Sequence, residues 1–266
     1  MPAPVVDPVA LRCLGFPEDP SALIDAVLPR VERLSLAGED EVLAWTDPSS
    51  GARLVVGCRG ADVRWVWPSL WVPTETLLGG LNVLADDVVS AAVIDSEGAP
   101  TARLVLRLEQ GRTLSPEACA RTWPAAVVAT GSVRVFADAD AFATDPISIV
   151  GNPAGYAAEP PAHFRERGWA WPPRLSEESL EAAAGALPLA RLTGTVLAAD
   201  ERRNDMTDCQ FRVVRVRTLG LDLELCLPAD HSPTPVGAVV AGTVGLVGRL
   251  GLEPGEPRQR WVQRSD

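Results

Sequence analysis

Over much of this chain apolar and polar residues alternate in short runs cut by Pro, Gly, Asp and Ser, which predicts strands joined by hairpins rather than a helical bundle. Residues 42–47 and 52–58 flank Asp47-Pro48-Ser49-Ser50-Gly51, whose Pro and Gly suit a turn. Over 61–67, Val63, Trp65 and Trp67 alternate with Asp62, Arg64 and Val66, the period of a half-buried strand. A second hairpin joins 88–95 to 102–109 through Ser96-Glu97-Gly98-Ala99-Pro100, with Leu104, Leu106 and Leu108 on one face. Residues 125–136 read as a further strand with Gly131 as a bulge, running into a short helix over 138–144 before Pro146. Near the start, Leu23, Ile24, Val27 and Leu28 have helical spacing, behind Asp19 as N-cap and Pro20 in the first turn, with Pro29 as the stop.

The pattern breaks over 151–187, where Gly151, Pro153, Gly155, Pro160, Pro161, Gly168, Pro172 and Pro173 interrupt every period except a helix over 176–184 capped by Ser176. After Pro188 four strands are predicted, over 191–200, 210–219, 221–227 and 238–247. If Leu219-Gly220 is a two-residue turn, Thr218 faces Leu221, Arg217 faces Asp222 and Arg215 faces Glu224, while Val216 meets Leu223 and Val214 meets Leu225 on the other face. One register thus satisfies charge and burial together, as a consistent element should. The fold class expected is α+β, predominantly antiparallel β. An N-terminal mixed-sheet domain spans 1–150, a connector with a short helix spans 151–187, and a small Greek-key barrel spans 188–266.

Three features carry a resemblance: Gly194 inside the first of these strands, the paired hairpin, and the glycine-spaced run Gly242-Thr243-Val244-Gly245-Leu246-Val247-Gly248. Together they resemble a small Greek-key barrel of the OB type. The pattern Leu192-Thr193-Gly194 followed by Asn204, Thr207 and Phe211 is also similar to uncharacterised bacterial proteins, which bring no activity with them. Residues 228–237 depart from the barrel pattern, being too short and Pro-rich for the helix that usually plugs it between strands three and four, and this leaves closure open.

Composition narrows the chemistry. All 24 basic residues are arginine, so Schiff-base lysines and Walker-type phosphate loops are excluded. The net charge is −11, which disfavours nucleic-acid phosphate and anionic lipid, although from Pro188 onward acidic and basic residues balance. Cys13, Cys58, Cys119, Cys209 and Cys226 have no ligand spacing and read as reduced thiols of a cytoplasmic protein; no secretory signal and no membrane span are expected. Asp138-x-Asp140 with Asp145 has Ala143 and Ile149 where a calcium loop needs Gly and Glu, so helix capping is the expected role. Asp86-Asp87 and Glu39-Asp40-Glu41 read as solvated turns, and Gly79-Gly80 lacks dinucleotide-loop spacing. No metal and no cofactor are expected. His163 and His231 sit in Pro-rich surroundings and read as loop residues.

The unusual positive feature is eight tryptophans beside one tyrosine. Trp65, Trp67 and Trp71, with Trp169 and Trp171 in the connector, form the candidate ligand or partner surface, against the alternative of core and interface filling. Arg202, Arg203, Arg212 and Arg249 form the candidate barrel surface. The leading expectation is a non-enzymatic module that binds a protein partner or a small ligand. A hydrolase-like enzyme whose site is assembled only in three dimensions is one alternative. Single-stranded nucleic-acid binding by the barrel, through those arginines, is the other.

Overall fold

Local chemistry sets the first elements. Val5–Val6 (β1) leads to Asp7, whose carboxylate accepts the Ala10 amide at 3.0 Å and caps Pro8–Arg12 (α1). The second helix, Ser21–Val27 (α2), has Pro20 rather than Asp19 at its N-cap, yet Asp19 still accepts the Ser21 amide at 2.9 Å; Pro29 ends the helix within a 3₁₀ turn. Then come Glu32–Ala37 (β2), Asp40–Thr46 (β3), Ala52–Arg59 (β4), Asp62–Leu70 (β5), Thr76–Ala85 (β6), Val88–Ile94 (β7) and Pro100–Leu108 (β8). Ser115 caps Pro116–Cys119 (α3), and Trp123–Phe136 (β9) runs into Ala139–Thr144 (α4). Leu189–Asn204 (β10), Cys209–Thr218 (β11), Leu221–Pro228 (β12) and Val239–Leu250 (β13) follow. The computed structural model describes residues 5–37, 40–73, 75–85, 87–144, 188–218 and 221–251. The helix expected over 176–184, Trp169, Trp171, His163 and Asp145 lie outside them.

The chain is α+β and predominantly antiparallel β. One sheet has five strands in the order β1-β5-β4-β3-β2, and its hairpins β3–β4 and β4–β5 follow the turns read from sequence. The other has eight, β10-β11-β12-β9-β13-β8-β7-β6, with further pairings of β10 to β13 and β9 to β6. Those two pairings close it twice. One ring runs β6-β7-β8-β13-β9 and the other β10-β11-β12-β9-β13, so the antiparallel seam of β9 and β13 belongs to both. Closure of the second ring, left open by the short 228–237 loop, is made by β10 against β13 from Leu189 opposite Gly245 to Thr195 opposite Val239. Its fifth strand, β9, comes from the N-terminal region and not from 188–266. Each ring has one parallel contact, β8 with β13 and β12 with β9; the others are antiparallel.

The expected register of the β11–β12 hairpin holds residue for residue, with Arg217 opposite Asp222, Arg215 opposite Glu224 and Val214 opposite Leu225. Gly131 is not a bulge. The β9–β13 register runs unbroken through Gly131 opposite Val244, and a Cβ there would lie 2.5 Å from the Thr243 carbonyl, so close approach explains the glycine.

The shared seam makes one interior. Val89, Leu104, Leu106, Val127, Ala129, Val214, Val216, Leu225, Val240 and Leu246 belong to a single buried cluster spanning both rings. Their alternating neighbours Ala126, Val128, Phe211, Val213 and Cys226 point outward, where Leu43, Trp45, Leu54, Val56, Val66 and Leu70 of the five-stranded sheet cover them. Part of β9, β11 and β12 is therefore buried on both faces. Fully burying each large apolar side chain contributes about 1.5–3 kcal/mol, which makes this second layer a substantial part of the stability.

Polar contacts fix how the layers dock. At the β10–β11 tip, Asn204 donates to the Leu14 carbonyl at 3.2 Å and Thr207 donates to that of Gly15. The Asp205 amide donates to Asp47 at 3.0 Å. Asn204, Thr207 and Phe211, which stood out in the sequence pattern, are thus docking residues.

Candidate functional site

The turn between β3 and β4 builds one wall of a cleft. Asp47 is buried and accepts from the Ser49 amide and hydroxyl, the Ser50 hydroxyl and the Asp205 amide. Burial alone would raise its carboxyl, but hydrogen bonds from Ser50, Asp205 and Ser49 together outweigh that and hold it below the ordinary carboxylate range. Gly51 completes the turn at φ +76°, and its carbonyl accepts the Trp71 amide at 2.7 Å. A Cβ on Gly51 would come within 2.9 Å of the Trp71 carbonyl, so the glycine lets the backbone of Trp71 sit directly against the turn.

Trp71, 41% exposed, therefore stands at the edge of a cleft of about 390 Å³ lined by Arg30, Glu32, Thr46, Asp47, Pro48 and Gly51. Behind it lies a buried charge network. Arg53 is 1% exposed; its Nε donates to Glu109 at 3.2 Å, and its Nη1 donates to Glu32 at 3.0 Å and to Thr46. Ser69 donates to the other Glu109 oxygen at 2.7 Å. The Nη2 of Arg53 is buried with no acceptor among the described residues. Two guanidiniums flank the indole, Arg249 at 3.8 Å and Arg53 at 5.4 Å from a ring centroid, and Arg249 is held by donation to the Val72 carbonyl at 2.6 Å.

Two of the candidate residues are thereby brought together, Trp71 from the aromatic set and Arg249 from the barrel set. Trp65 and Trp67 are placed elsewhere, on the sheet face of Val42, Ala44 and Val55. Their rings stack at 5.0 Å and 15°, Arg107 lies 3.4 Å over Trp67, and Arg112 lies 5.5 Å from Trp65. This ladder is mostly buried: Trp65 packs against Gly57, where a Cβ would strike the indole at 2.0 Å. Arg107 also pairs with Asp87 at 2.7 Å. The ladder joins the five-stranded sheet to β8, the work of an interface filler.

The other barrel arginines are engaged one by one and do not make a single exposed stripe. Arg202 donates to the Ser50 carbonyl at 3.0 Å, Arg203 pairs with Asp208, and Arg212 pairs with Glu201 and donates to the carbonyl of His231. Arg249 is 9% exposed. Both ring nitrogens of His231 face backbone carbonyls, Val133 at 2.9 Å and Ser232 at 3.1 Å, so its imidazole anchors the 228–237 loop. Asp138 accepts the Ala141 amide at 2.7 Å and caps α4.

Two further depressions lie away from Trp71. A pocket of about 90 Å³ beside Arg215 and Glu224 is small for a ligand; burial there raises the Glu224 carboxyl. A cleft of about 500 Å³ beside Phe16, Cys209 and Pro228 is mainly apolar and is rimmed by the exposed Arg12–Asp230 ion pair, but among the described residues it holds neither an exposed aromatic nor a buried charge network such as those at Trp71.

Arg30 and Glu32 on the cleft lining, and Arg53 and Glu109 buried behind it, do not stand out in the period-based reading. A signal existed for one of them, since Arg53 is the lone charge in the run Ala52-Arg53-Leu54-Val55-Val56, a place where a charge must find a buried partner. No family model matches the chain, and no match emerges among curated proteins or solved structures.

Proposed function

We propose that this chain is a non-enzymatic binding module whose ligand site is the cleft beside Trp71. The observation that carries the reading is a large, half-exposed aromatic held in place by backbone hydrogen bonding at the mouth of a cleft, with a buried cation network behind it. Small-molecule sites are concave and use a few placed polar groups to fix orientation, as Arg30, Glu32 and Thr46 are placed around Trp71 here. On this reading function sits where residues before 150 meet those after 188, because Arg249 of β13 and Trp71 share the site.

The two rings are read as OB-type barrels. Taking β10, β11, β12, β13 and β9 as strands one to five gives the ring order 1-2-3-5-4, with the parallel contact between three and five. The same numbering fits β6, β7, β8, β9 and β13, with α3 between strands three and four. In this reading β9 and β13 exchange roles between two copies of one design. OB barrels commonly take nucleic acid on the face of strands two and three. Here outward residues of β11 and β12 are covered by the five-stranded sheet, and the β10–β11 tip is docked, which favours a small ligand over a nucleic acid strand.

A cytoplasmic setting suits five free thiols. Among the described residues no helix is long and apolar enough to cross a membrane. The test is a ligand-observed NMR screen of a small-fragment library against the wild-type chain and Trp71→Ala. Hits that vanish in Trp71→Ala, with its thermal unfolding still cooperative, support the reading. Hits that all persist in Trp71→Ala sink it.

A further inference from the structure

The donors and acceptors around the cleft are unequally spent. On the acceptor side, Asp47 is buried and receives four hydrogen bonds, Glu109 receives Arg53 and Ser69, and one oxygen of Glu32 receives Arg53. On the donor side, Arg53 keeps Nη2 buried with no acceptor, and Arg30 is exposed on the cleft lining with no ion-pair partner among the described residues. Arg53 lies behind the lining, next to Glu32 and Thr46, so the cation that meets the cleft directly is Arg30, whose guanidinium is suited to a ligand that supplies an acceptor.

The aromatic wall adds a second, independent requirement. Arg249 lies 3.8 Å over the Trp71 ring, and a cation against a π system draws electron density from it. The indole edge left open to the cleft then favours an electron-rich planar partner over a cationic one. The cleft volume, about 390 Å³, falls near the lower end of the roughly 300–1,000 Å³ of small-molecule sites, which suits a ligand of one or two fused rings.

We infer that the cleft beside Trp71 takes a small planar aromatic carboxylate, its ring against the indole and its carboxylate held by Arg30. This rests on the cleft being the ligand site. Two carboxylates share the lining: Asp47 is buried and already receives four hydrogen bonds, while Glu32, 44% exposed, faces the ligand and sets the discrimination, repelling a misplaced anion while keeping Arg53 fixed.

The test uses three probes of equal size: 2-naphthoate, neutral 2-naphthamide and cationic 2-naphthylmethylammonium. Each is titrated by calorimetry into the 266-residue chain, Arg30→Gln, Glu32→Gln and Trp71→Ala. Charge-assisted bonds to the carboxylate should make naphthoate bind about tenfold or more tighter than naphthamide. That advantage should shrink in Arg30→Gln, a surface change that leaves folding intact, and grow in Glu32→Gln. Equal binding of naphthoate and naphthamide, both lost in Trp71→Ala, overturns the carboxylate inference and leaves the cleft as a ligand site. Tighter binding of the ammonium, or weaker naphthoate binding in Glu32→Gln, also overturns it. No saturable binding of any probe overturns the ligand class. Naphthoate binding unchanged in Trp71→Ala overturns the inference and the site together.

Discussion

Glu109→Gln isolates the charge of the buried pair behind the cleft while keeping its shape. Arg53 and Glu109 side chains are each 1% exposed and 3.2 Å apart. At that distance, with an effective dielectric of about 20, the attraction is about 5 kcal/mol. Part of it survives the substitution, because Glu32 still compensates Arg53 from 3.0 Å, though Glu32 is 44% exposed and screened by solvent. Glutamine keeps one acceptor oxygen, for the Arg53 Nε–H, and its NH2 can donate to the Ser69 hydroxyl, which then reverses its role. The expected loss is about 3 kcal/mol, in line with breaking a buried pair by removing one partner. Urea unfolding followed by tryptophan fluorescence and far-UV circular dichroism measures it, as a lowered midpoint at unchanged slope. Arg53→Met combined with Glu109→Leu should be more stable than Glu109→Gln, since no uncompensated charge is left inside. A loss under about 1 kcal/mol for Glu109→Gln with unchanged slope refutes the premise that this pair is electrostatically buried.

Asp47→Asn should destabilise the chain at neutral pH by about 1–3 kcal/mol, the cost of weakening several hydrogen bonds to a buried carboxylate. Because the folded carboxyl sits below the 3.8 of a free aspartate, its contribution is present above that pH and is lost as pH falls through the lower folded value. Urea midpoints at pH 7 and in acid should therefore converge for the wild type and variant as pH drops. Thiol labelling offers a separate check on packing. In the native chain a disulfide reagent should modify exposed Cys209 first and half-buried Cys119 more slowly. Cys13, which burial pushes up to about 11, together with Cys58 and Cys226, also raised by burial, should react only on denaturation; mass spectrometry of the labelled peptides decides it.

Strands with plain alternation or a charged pairing partner were legible in the sequence, and those defined by distant partners were not. The β11–β12 register was readable because Arg217, Asp222, Arg215 and Glu224 leave only one arrangement that also buries Val214, Val216, Leu223 and Leu225. By contrast β6, Thr-Leu-Leu-Gly-Gly-Leu-Asn-Val-Leu-Ala, reads as a breaker at Gly79-Gly80 and is held as a strand by β7 and β9. The short β1 exists only through its parallel contact with β5. The seam of β9 and β13 is hidden for the same reason, since its partners lie on opposite sides of the 145–187 segment. At the site, Trp71 and Arg249 were visible singly, but their meeting depends on that seam. Arg53 and Glu109 were obscured because each is a single charge beside apolar strand residues, whose pairing only the folded chain reveals.

The seam also dictates the order in which the molecule can be finished. A nascent chain that has emerged from the ribosome as far as β12 holds no closed ring, because β13 is the keystone of both. Until it arrives, the faces of Val89, Leu106, Val214 and Leu225 are open to water and to neighbouring chains, and such long-range pairing is slow to form. A stop codon just upstream of β13 would leave both rings open and their common hydrophobic interior unsealed, making the truncated product a target for chaperones and proteases rather than a smaller working protein.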